Sequence, residues 1–304
     1  MDDPMIEEAA AGRLGPDLSA LVEDVGVPLI AAALVTTIAS SRVDRACFRL
    51  TFADGTVLKG RRVESVGDAE RLAVLTALLD ARHFPRVIAR RGRALLTPWI
   101  QGRAFAAGRD ATALMRRCGA LHRGIHRRRI DADVKPLRRR STDWEPRLEK
   151  LLDELVMASA IDAGFARAVH HLASHHAPQA ARSGLCHGDF CGENMVQDQA
   201  GDIQVVDNDS LAVDEYEYDL ARTWYRWPLS PAALRAYVDG YGRSEHGIRF
   251  AEHFLHWALT VVIESSAFRV RARSPLAHEA LARLRALLKT EGRFETFPRL
   301  LAGG

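Results

Sequence analysis

The chain has 304 residues, of which 47% are hydrophobic and 27% charged, which is typical of a globular protein and excludes a disordered chain. The formal net charge is only +3, but residues 81–147 hold 18 basic residues against 5 acidic ones. The longest apolar stretch, residues 27–39, is shorter than the ~18 residues of a membrane span, and no basic cluster opens the chain. We therefore expect a soluble, cytoplasmic protein without a membrane partner.

The first third of the chain predicts short strands and two helices. Apolar residues at helical spacing predict one amphipathic helix that ends near Gly26. Alternation on both sides of the Asp54-Gly55 turn predicts a β-hairpin. The further predicted elements are a strand over residues 36–40, a helix over 65–81 and two strands at 87–89 and 94–96.

Beyond Gly102 the pattern becomes helical, with one β segment at residues 194–209. The clearest strand in that segment is 203–206. An α+β fold follows, with a small antiparallel-sheet lobe at residues 1–98, a hinge near 97–102 and a larger helical lobe at 99–304. The predicted helices of the second lobe are 112–126, 148–160, 166–174, 250–271 and 276–288.

The strongest chemical signal follows Cys186. It reads His187-Gly188-Asp189, then four residues, then Asn194, and after an apolar strand it continues with Asp207. Phosphoryl transfer needs a carboxylate that orients the acceptor hydroxyl and takes its proton, and oxygen ligands that hold Mg²⁺ against the nucleotide phosphates. The pattern predicts Asp189 in the first role and Asn194 with Asp207 in the second.

These residues resemble the aminoglycoside phosphotransferase and choline kinase-like family, whose members have a two-lobed protein kinase-like fold. The resemblance covers most of the chain. Residues 57–59 are similar to the strand with the phosphate-binding lysine, and residues 95–102 to the adenine-binding hinge. Residues 218–221 are similar to the family's Y-D-L-A segment, in which Asp219 would brace the catalytic loop.

The resemblance implies an ATP-dependent small-molecule kinase that needs Mg²⁺. Lys59 would bind the nucleotide phosphates, and Glu70, on the following helix, would be its partner, with Glu64 as the alternative. The adenine base would be bound by the carbonyl of Thr97 and the N–H of Trp99, because Pro98 has no N–H to donate.

Two other classes of function stay open. The first is a catalytically silent, kinase-like binding or regulatory module. The second is a nucleic-acid-binding protein that would use the arginine runs 127–129 and 138–140. Only Trp144 lies near these runs. Because stacking aromatic residues are otherwise missing there, we favour a solvated face and do not expect nucleic acid as a partner.

The acceptor is predicted only as a small molecule with a hydroxyl group, such as an aminoglycoside, an amino alcohol or a sugar-like compound. Four acidic residues would suit a polycation, and four aromatic residues would suit a quaternary ammonium group. The basic stretch argues against both and would suit an acidic or phosphorylated acceptor instead, because it follows the hinge and could border the acceptor pocket. The oligomeric state is also left open. The acidic residues are Asp209, Asp214, Glu215 and Glu217, and the aromatic ones are Tyr216, Trp224, Tyr225 and Trp227.

Overall fold

The computed structural model describes residues 6–8, 13–35, 46–105, 112–131, 143–180, 182–291 and 295–303. It divides into two compact units. The first comprises residues 1–105 and 193–212, and the second comprises residues 106–192 and 213–304. Each unit is described below by itself.

The first unit contains a six-stranded antiparallel sheet with the strand order β1-β2-β3-β4-β6-β5. A second sheet has the order β10-β9-β7. The strands are β1 (Ile6–Glu8), β2 (Leu29–Val35), β3 (Cys47–Phe52), β4 (Val57–Arg62), β5 (Ala89–Arg91), β6 (Ala94–Pro98), β7 (Gly102–Ala104), β9 (Met195–Asp198) and β10 (Ile203–Val205).

The β3–β4 hairpin forms where the alternation predicts it. Phe48, Leu50 and Phe52 all point to the core because side chains two apart lie on one face of a strand. Gly55 turns the chain with φ 85°, and the carboxylate of Asp54 accepts a hydrogen bond of 2.9 Å from the N–H of Thr56.

Two helices complete the first unit, α1 (Pro16–Asp24) and α2 (Val66–Ala77). Leu18 and Leu21 bury one side of α1 in the core of the large sheet. The α2 helix begins after Ser65, whose hydroxyl accepts a hydrogen bond of 3.0 Å from the N–H of Asp68.

The second unit is mainly helical. A short two-stranded sheet pairs β8 (Ser183–Cys186) with β11 (Ala212–Glu215), whose first residue belongs to the first unit. Helix α9 buries residues on all sides, which is typical of a central helix. The helices are α3 (Thr112–His126), α4 (Trp144–Met157), α5 (Ala163–His175), α6 (Tyr216–Arg226), α7 (Pro231–Tyr241), α8 (Glu245–Glu252), α9 (Phe254–Arg271), α10 (Ala277–Thr290) and α11 (Thr296–Ala302).

Helices α3 and α7 approach each other closely because each has a glycine at the contact. A Cβ atom at Gly119 of α3 would overlap the carbonyl oxygen of Tyr237, and one at Gly240 of α7 would overlap that of Arg116. This close packing brings the inner face of α3 against the tyrosines of α7.

The structure confirms the predicted α+β fold, with a small antiparallel-sheet lobe and a larger helical lobe. The predicted strand at 36–40 lies outside the described residues. One predicted helix, 250–271, is instead two helices that are separated at His253, whose backbone is not helical. Within the described ranges, no helix combines the length and the apolar composition that a bilayer span requires.

Candidate active site

Lys59 lies in β4, opposite Thr97 of β6 in the antiparallel register. Its ammonium group donates a hydrogen bond of 3.2 Å to the main-chain oxygen of Val206. Because Val206 directly precedes Asp207, the predicted phosphate-binding lysine lies beside the residue predicted to bind the metal. Thr97 is buried in the same sheet.

Asn194 and Asp207 flank the hairpin of β9 and β10. The two strands pair antiparallel, and the N–H of Val206 donates a hydrogen bond of 2.9 Å to the main-chain oxygen of Asn194. The chain that leaves β10 therefore returns to the residue that precedes β9. In this way the first unit brings Lys59, Asn194 and Asp207 to one end of the hairpin.

Arg61 is a charged residue that the sequence analysis did not identify at this hairpin. Its Nη1 lies 3.9 Å from Oδ1 of Asp207, and it also forms an ion pair with Asp209. Burial lowers the pKa of this guanidinium, while the charge of Asp207 opposes the shift. The signal for Arg61 was the strand period, since it follows Lys59 by two residues.

Glu70 pairs with Arg90 at 3.2 Å rather than with Lys59, and its side chain is exposed. The next residue, Arg71, is buried instead. Its Nε donates a hydrogen bond of 3.1 Å to the main-chain oxygen of Leu211. The described contact between α2 and the segment after β10 is therefore made by Arg71.

Trp99 uses its main-chain N–H within the sheet. This N–H donates a hydrogen bond of 3.2 Å to the carbonyl of Val57, which extends the pairing of β4 with β6. The guanidinium of Arg49 lies over the indole ring, 5.5 Å from its centroid. A nucleotide base can accept a hydrogen bond from this N–H only if it replaces the carbonyl of Val57.

In the second unit, the loop that follows β8 carries Asp189. Gly188 has φ 75°, a left-handed conformation that costs energy for a residue with a Cβ atom. The buried His187 accepts a hydrogen bond of 3.3 Å at Nδ1 from the N–H of Asp189. The glycine and the histidine thus fix the local geometry of the loop.

Two arginines of α6 bind the carboxylate of Asp189. Nη2 of Arg222 lies 2.8 Å and Nε of Arg226 lies 3.2 Å from the same oxygen, Oδ1. The Nε of Arg222 also donates a hydrogen bond of 3.1 Å to the carbonyl of Gly188. Arg222 and Arg226 are four residues apart and therefore lie on the same face of α6. This i,i+4 spacing could have predicted their common contact, but it was overlooked.

Asp219 holds the main chain of the same loop. Its Oδ2 accepts a hydrogen bond of 2.8 Å from the N–H of His187, and its Oδ1 accepts one of 2.8 Å from the N–H of Gly188. The side chain is fully buried. The prediction that Asp219 braces the loop before Asp189 is confirmed.

Two histidines of α3 support Asp219. Nε2 of His122 lies 3.0 Å from its Oδ2, and Nε2 of His126 lies 3.1 Å from the same atom. Burial alone would raise the pKa of Asp219, but these two neighbours outweigh burial and hold the pKa well below its usual value. The carboxylate is therefore ionised and accepts hydrogen bonds only.

The ionised carboxylate can only accept, so the Nε2 atom of each imidazole ring carries a hydrogen. Each ring donates its Nε2–H to Asp219, and burial lowers the pKa of His126 to about 4, so that ring is neutral at pH 7. A neutral ring with hydrogen on Nε2 accepts at Nδ1. The hydroxyl of Tyr241 lies 2.7 Å from that atom and donates to it.

Within the part of the chain that the structure describes, His122, His126 and Asp219 are the one group of three with metal-ligand atoms within 4.8 Å of one another. Their ligand atoms already bond to each other, so the network is complete without an ion. This network was not predicted from the sequence, although its two histidines share a helix face at i,i+4 spacing.

Comparison with known proteins identifies the family. The model of the phosphotransferase enzyme family matches residues 35–254, more than two thirds of the chain. No curated protein sequence matches the chain.

Solved structures match over nearly the whole length. The spectinomycin phosphotransferase solved with ADP and spectinomycin is 13% identical, with a TM-score of 0.59 over 94% of this chain and 97% of that one. Choline kinase from Cryptosporidium parvum is 13% identical, with a TM-score of 0.60 over 89% and 92%. Macrolide 2'-phosphotransferase from Brachybacterium faecium is 16% identical, with a TM-score of 0.57 over 87% and 95%.

At these identities the likeness shows the fold alone, and it confirms the predicted kinase-like fold. The family match covers the loop with Asp189 and the hairpin with Asn194 and Asp207. The chain therefore belongs to the phosphotransferase enzyme family.

Proposed function

We propose that this protein transfers the γ-phosphoryl group of ATP to a hydroxyl group of a small molecule and needs Mg²⁺ to do so. The observation that carries the proposal is the arrangement in the first unit, where Lys59, Asn194 and Asp207 meet at one end of the β9–β10 hairpin. Membership of the family supports it. So does the ADP bound in a protein of the same fold.

The residues at the hairpin fit a magnesium ion. Mg²⁺ prefers oxygen ligands and keeps several waters, so one carboxylate and one amide oxygen suffice. The side chain of Asp207 is 49% exposed, which leaves its carboxylate open to an ion and to nucleotide phosphates. When bound, Mg²⁺ would neutralise charge on the phosphates. Asn194 and Asp207 would hold it.

Lys59 and the strand end at Thr97 would bind the nucleotide. The ammonium group of Lys59 would contact the phosphates, and the carbonyl of Thr97 would contact the adenine. The N–H of Trp99 would join them by exchanging its bond to Val57 for one to the base. Glu70 would serve as a partner of Lys59 only by leaving Arg90, and its cofactor-binding role stays a prediction.

Asp189 would act on the acceptor. The acceptor hydroxyl oxygen forms a bond to the γ-phosphorus, while the bond from that phosphorus to the β–γ bridging oxygen breaks and ADP leaves. The hydroxyl proton passes to the carboxylate of Asp189. Asp219 keeps the loop in position through its two main-chain hydrogen bonds.

The proposal includes two lobes with different roles. Residues 1–98 would bind the nucleotide, and residues 99–304 would carry out catalysis and bind the acceptor. The segment 193–212, which carries Asn194 and Asp207, belongs to the first compact unit. A cytoplasmic location, where Mg²⁺ and ATP are abundant, accords with the proposal.

A silent binding module is the second candidate. Two observations favour it, namely the pairing of Glu70 with Arg90 and the bond from Trp99 to Val57. We place it second because Lys59 and the two proposed metal ligands lie together, and because the loop of Asp189 is rigidly held.

Calorimetric titration of Mg–ATP tests the nucleotide half of the proposal. Asp207→Ala should abolish phosphoryl transfer and weaken Mg–ATP binding by about tenfold or more, since a charge-assisted contact is lost. Asp202→Ala is the matched control, because it removes an exposed carboxylate from the turn of the same hairpin. If Asp207→Ala binds Mg–ATP like the control and keeps full activity, the metal role of Asp207 is wrong.

A further inference from the structure

The acceptor class can be narrowed from the second unit, on the assumption that the proposed function holds. A polycationic acceptor needs accessible carboxylates, and the acidic residues after β10 were the candidates. Asp214, Glu215 and Glu217 are all buried, and Glu217 pairs with Arg249 at 2.9 Å. In the first unit, Asp209 pairs with Arg61. The three buried carboxylates therefore serve the fold, and the half-exposed Asp209 is neutralised by Arg61, so the four do not form an acidic surface.

The aromatic residues of α6 do not form a cage for a quaternary ammonium group either. The guanidinium of Arg283 lies 4.1 Å from the ring centroid of Trp224 and 4.8 Å from that of Tyr225. Tyr216 packs against His246 with ring centroids 3.9 Å apart. The protein's own cation thus occupies two of the ring faces that a cationic acceptor would need.

The charges beside Asp189 are instead positive. Arg222 and Arg226 share its Oδ1, so these three side chains sum to +1. Their side chains are 19%, 28% and 21% exposed for Arg222, Arg226 and Asp189 respectively. Salt screens such half-buried charges less than fully exposed ones. A cationic acceptor at Asp189 would meet repulsion from both guanidinium groups.

We propose that the acceptor carries an anionic group, a carboxylate or a phosphate ester, on the same small molecule as the hydroxyl group that is phosphorylated, and that Arg226 binds this group. A guanidinium has several N–H donors in one plane and matches two anionic oxygens at once. Asp189 remains the residue that takes the hydroxyl proton. Arg226 is thus a specificity-determining residue for the acceptor.

The two arginines have different parts in this arrangement. Arg222 also donates to the carbonyl of Gly188, so it holds the loop as well as the carboxylate. Arg226 lies one turn further along α6, and its Nη2 reaches Sγ of Cys191 at 3.9 Å, just beyond the loop's catalytic residue. Arg222 is therefore mainly a positioning residue, and Arg226 is the one to vary.

Two acceptor series test the proposal, because within each series only the charged group changes. The three-carbon series is glycerate, glyceramide, 3-aminopropane-1,2-diol and glycerol 3-phosphate. The six-carbon series is gluconate, gluconamide, glucamine and sorbitol 6-phosphate. Each compound is measured twice, as a substrate with Mg–ATP and as a ligand by calorimetry on protein saturated with Mg–ADP.

We expect an anionic member of at least one series to exceed its amide by about tenfold or more in kcat/KM, or in affinity where no turnover occurs. The amine should be the poorest member. The comparison of carboxylate with phosphate ester identifies which anion is preferred.

Variants separate recognition from a merely structural role. Arg226→Gln should reduce the anion-to-amide ratio to near one, and Arg226→Lys should restore part of it because the charge returns. Arg235→Gln, which removes an exposed arginine from α7, is the charge-matched control and should keep the ratio. A general loss of loop order would lower both members of each pair and leave the ratio unchanged.

The proposal is overturned if the amine or the amide equals the anion, if no anion binds at millimolar concentration, or if Arg226→Gln leaves the ratio intact. The binding arm is read without turnover, so these results are distinct from failure of the proposed function. That failure would appear as the absence of phosphoryl transfer from bound Mg–ATP to any acceptor.

Discussion

Lys59 is one of only four lysines in a chain that uses arginine for nearly all its cations. Its compact ammonium group donates to the carbonyl of Val206, in a strand that is paired on both sides. The planar guanidinium of arginine is larger and has a fixed fork of donors, so the two side chains are not interchangeable at such a position.

Lys59→Arg should therefore impair catalysis although the charge is kept. We expect kcat/KM to fall by about tenfold or more, in steady-state assays with a responsive acceptor. Lys150→Arg, at an exposed position on α4, is the control and should match the unmutated protein. An unchanged kcat/KM for Lys59→Arg would show that the lysine does not bind phosphate.

At the residue scale, the sequence predicted that Asn194 and Asp207 lie near each other, but not which residues surround them. Their closeness was predictable because the pattern of strand and turn along the chain determines where a hairpin returns, and their roles as metal ligands stay a prediction. Glu70 was assigned by position in a helix, where adjacent residues point about 100° apart. The rotation of α2 is set by packing against the sheet. This rotation buries Arg71 and leaves Glu70 exposed.

At the element scale, the same limit appears in α3. The bounds of α3, Thr112–His126, are those predicted, and Cys118 and Ile125 are buried as their helical spacing indicates. The structure also buries Met115 and His122, while Leu114 and Leu121 are only partly buried. Polar contacts of His122 with Asp219 and Tyr237 hold this residue in the interior, and a hydrophobic pattern does not encode them.

The contact of α3 with α7 gives a second prediction. Gly119→Ala should lower the free energy of unfolding by about 1–3 kcal/mol, because the new methyl group overlaps the carbonyl of Tyr237. Gly124→Ala lies on the same helix with nothing within 4 Å of the added atom, and should raise it by about 0.5–1 kcal/mol. Urea denaturation of both variants measures the two changes.

The two predicted changes in the free energy of unfolding have opposite signs, although both variants add the same methyl group to the same helix. Stabilisation by Gly119→Ala would mean that α3 and α7 are further apart than the structure shows. Activity should follow stability in Gly119→Ala, since α3 carries both histidines that support Asp219.

At the scale of the whole molecule, the buried His126 and the partly buried His246 make stability depend on pH. Burial is the main cause that lowers the pKa of His126 to about 4, and it also lowers the pKa of His246 to about 4. In the unfolded chain a histidine titrates near 6.5, so the unfolded state binds more protons between about pH 4 and 6.5. The contribution of the neutral histidines to the free energy of unfolding is complete above pH 6.5, and it is lost as the pH falls towards 4.

Denaturant unfolding at pH 7, 6, 5 and 4 measures this dependence. We expect the loss of unfolding free energy to be on the order of 1–3 kcal/mol for His126, and less for the partly exposed His246 because solvent screens its charge. His126→Gln should show a smaller slope of unfolding free energy against pH. His278→Gln removes an exposed imidazole on α10 and should keep the slope of the unmutated protein. Equal slopes for all three proteins would contradict the burial of His126 in the neutral form.

The central claim is that this chain is a phosphotransferase in which Asp189 takes the proton of the acceptor hydroxyl. The most direct measurement compares the unmutated protein with Asp189→Asn, recording Mg–ATP affinity by calorimetry and transfer of labelled γ-phosphoryl to the acceptor. The account predicts nearly equal affinities and a kcat lower by about 10²–10⁴ in the variant. Loss of ATP binding together with activity would make Asp189 a ligand or a brace. Binding of Mg–ATP by the unmutated protein without transfer to any acceptor would contradict the account and favour a silent module.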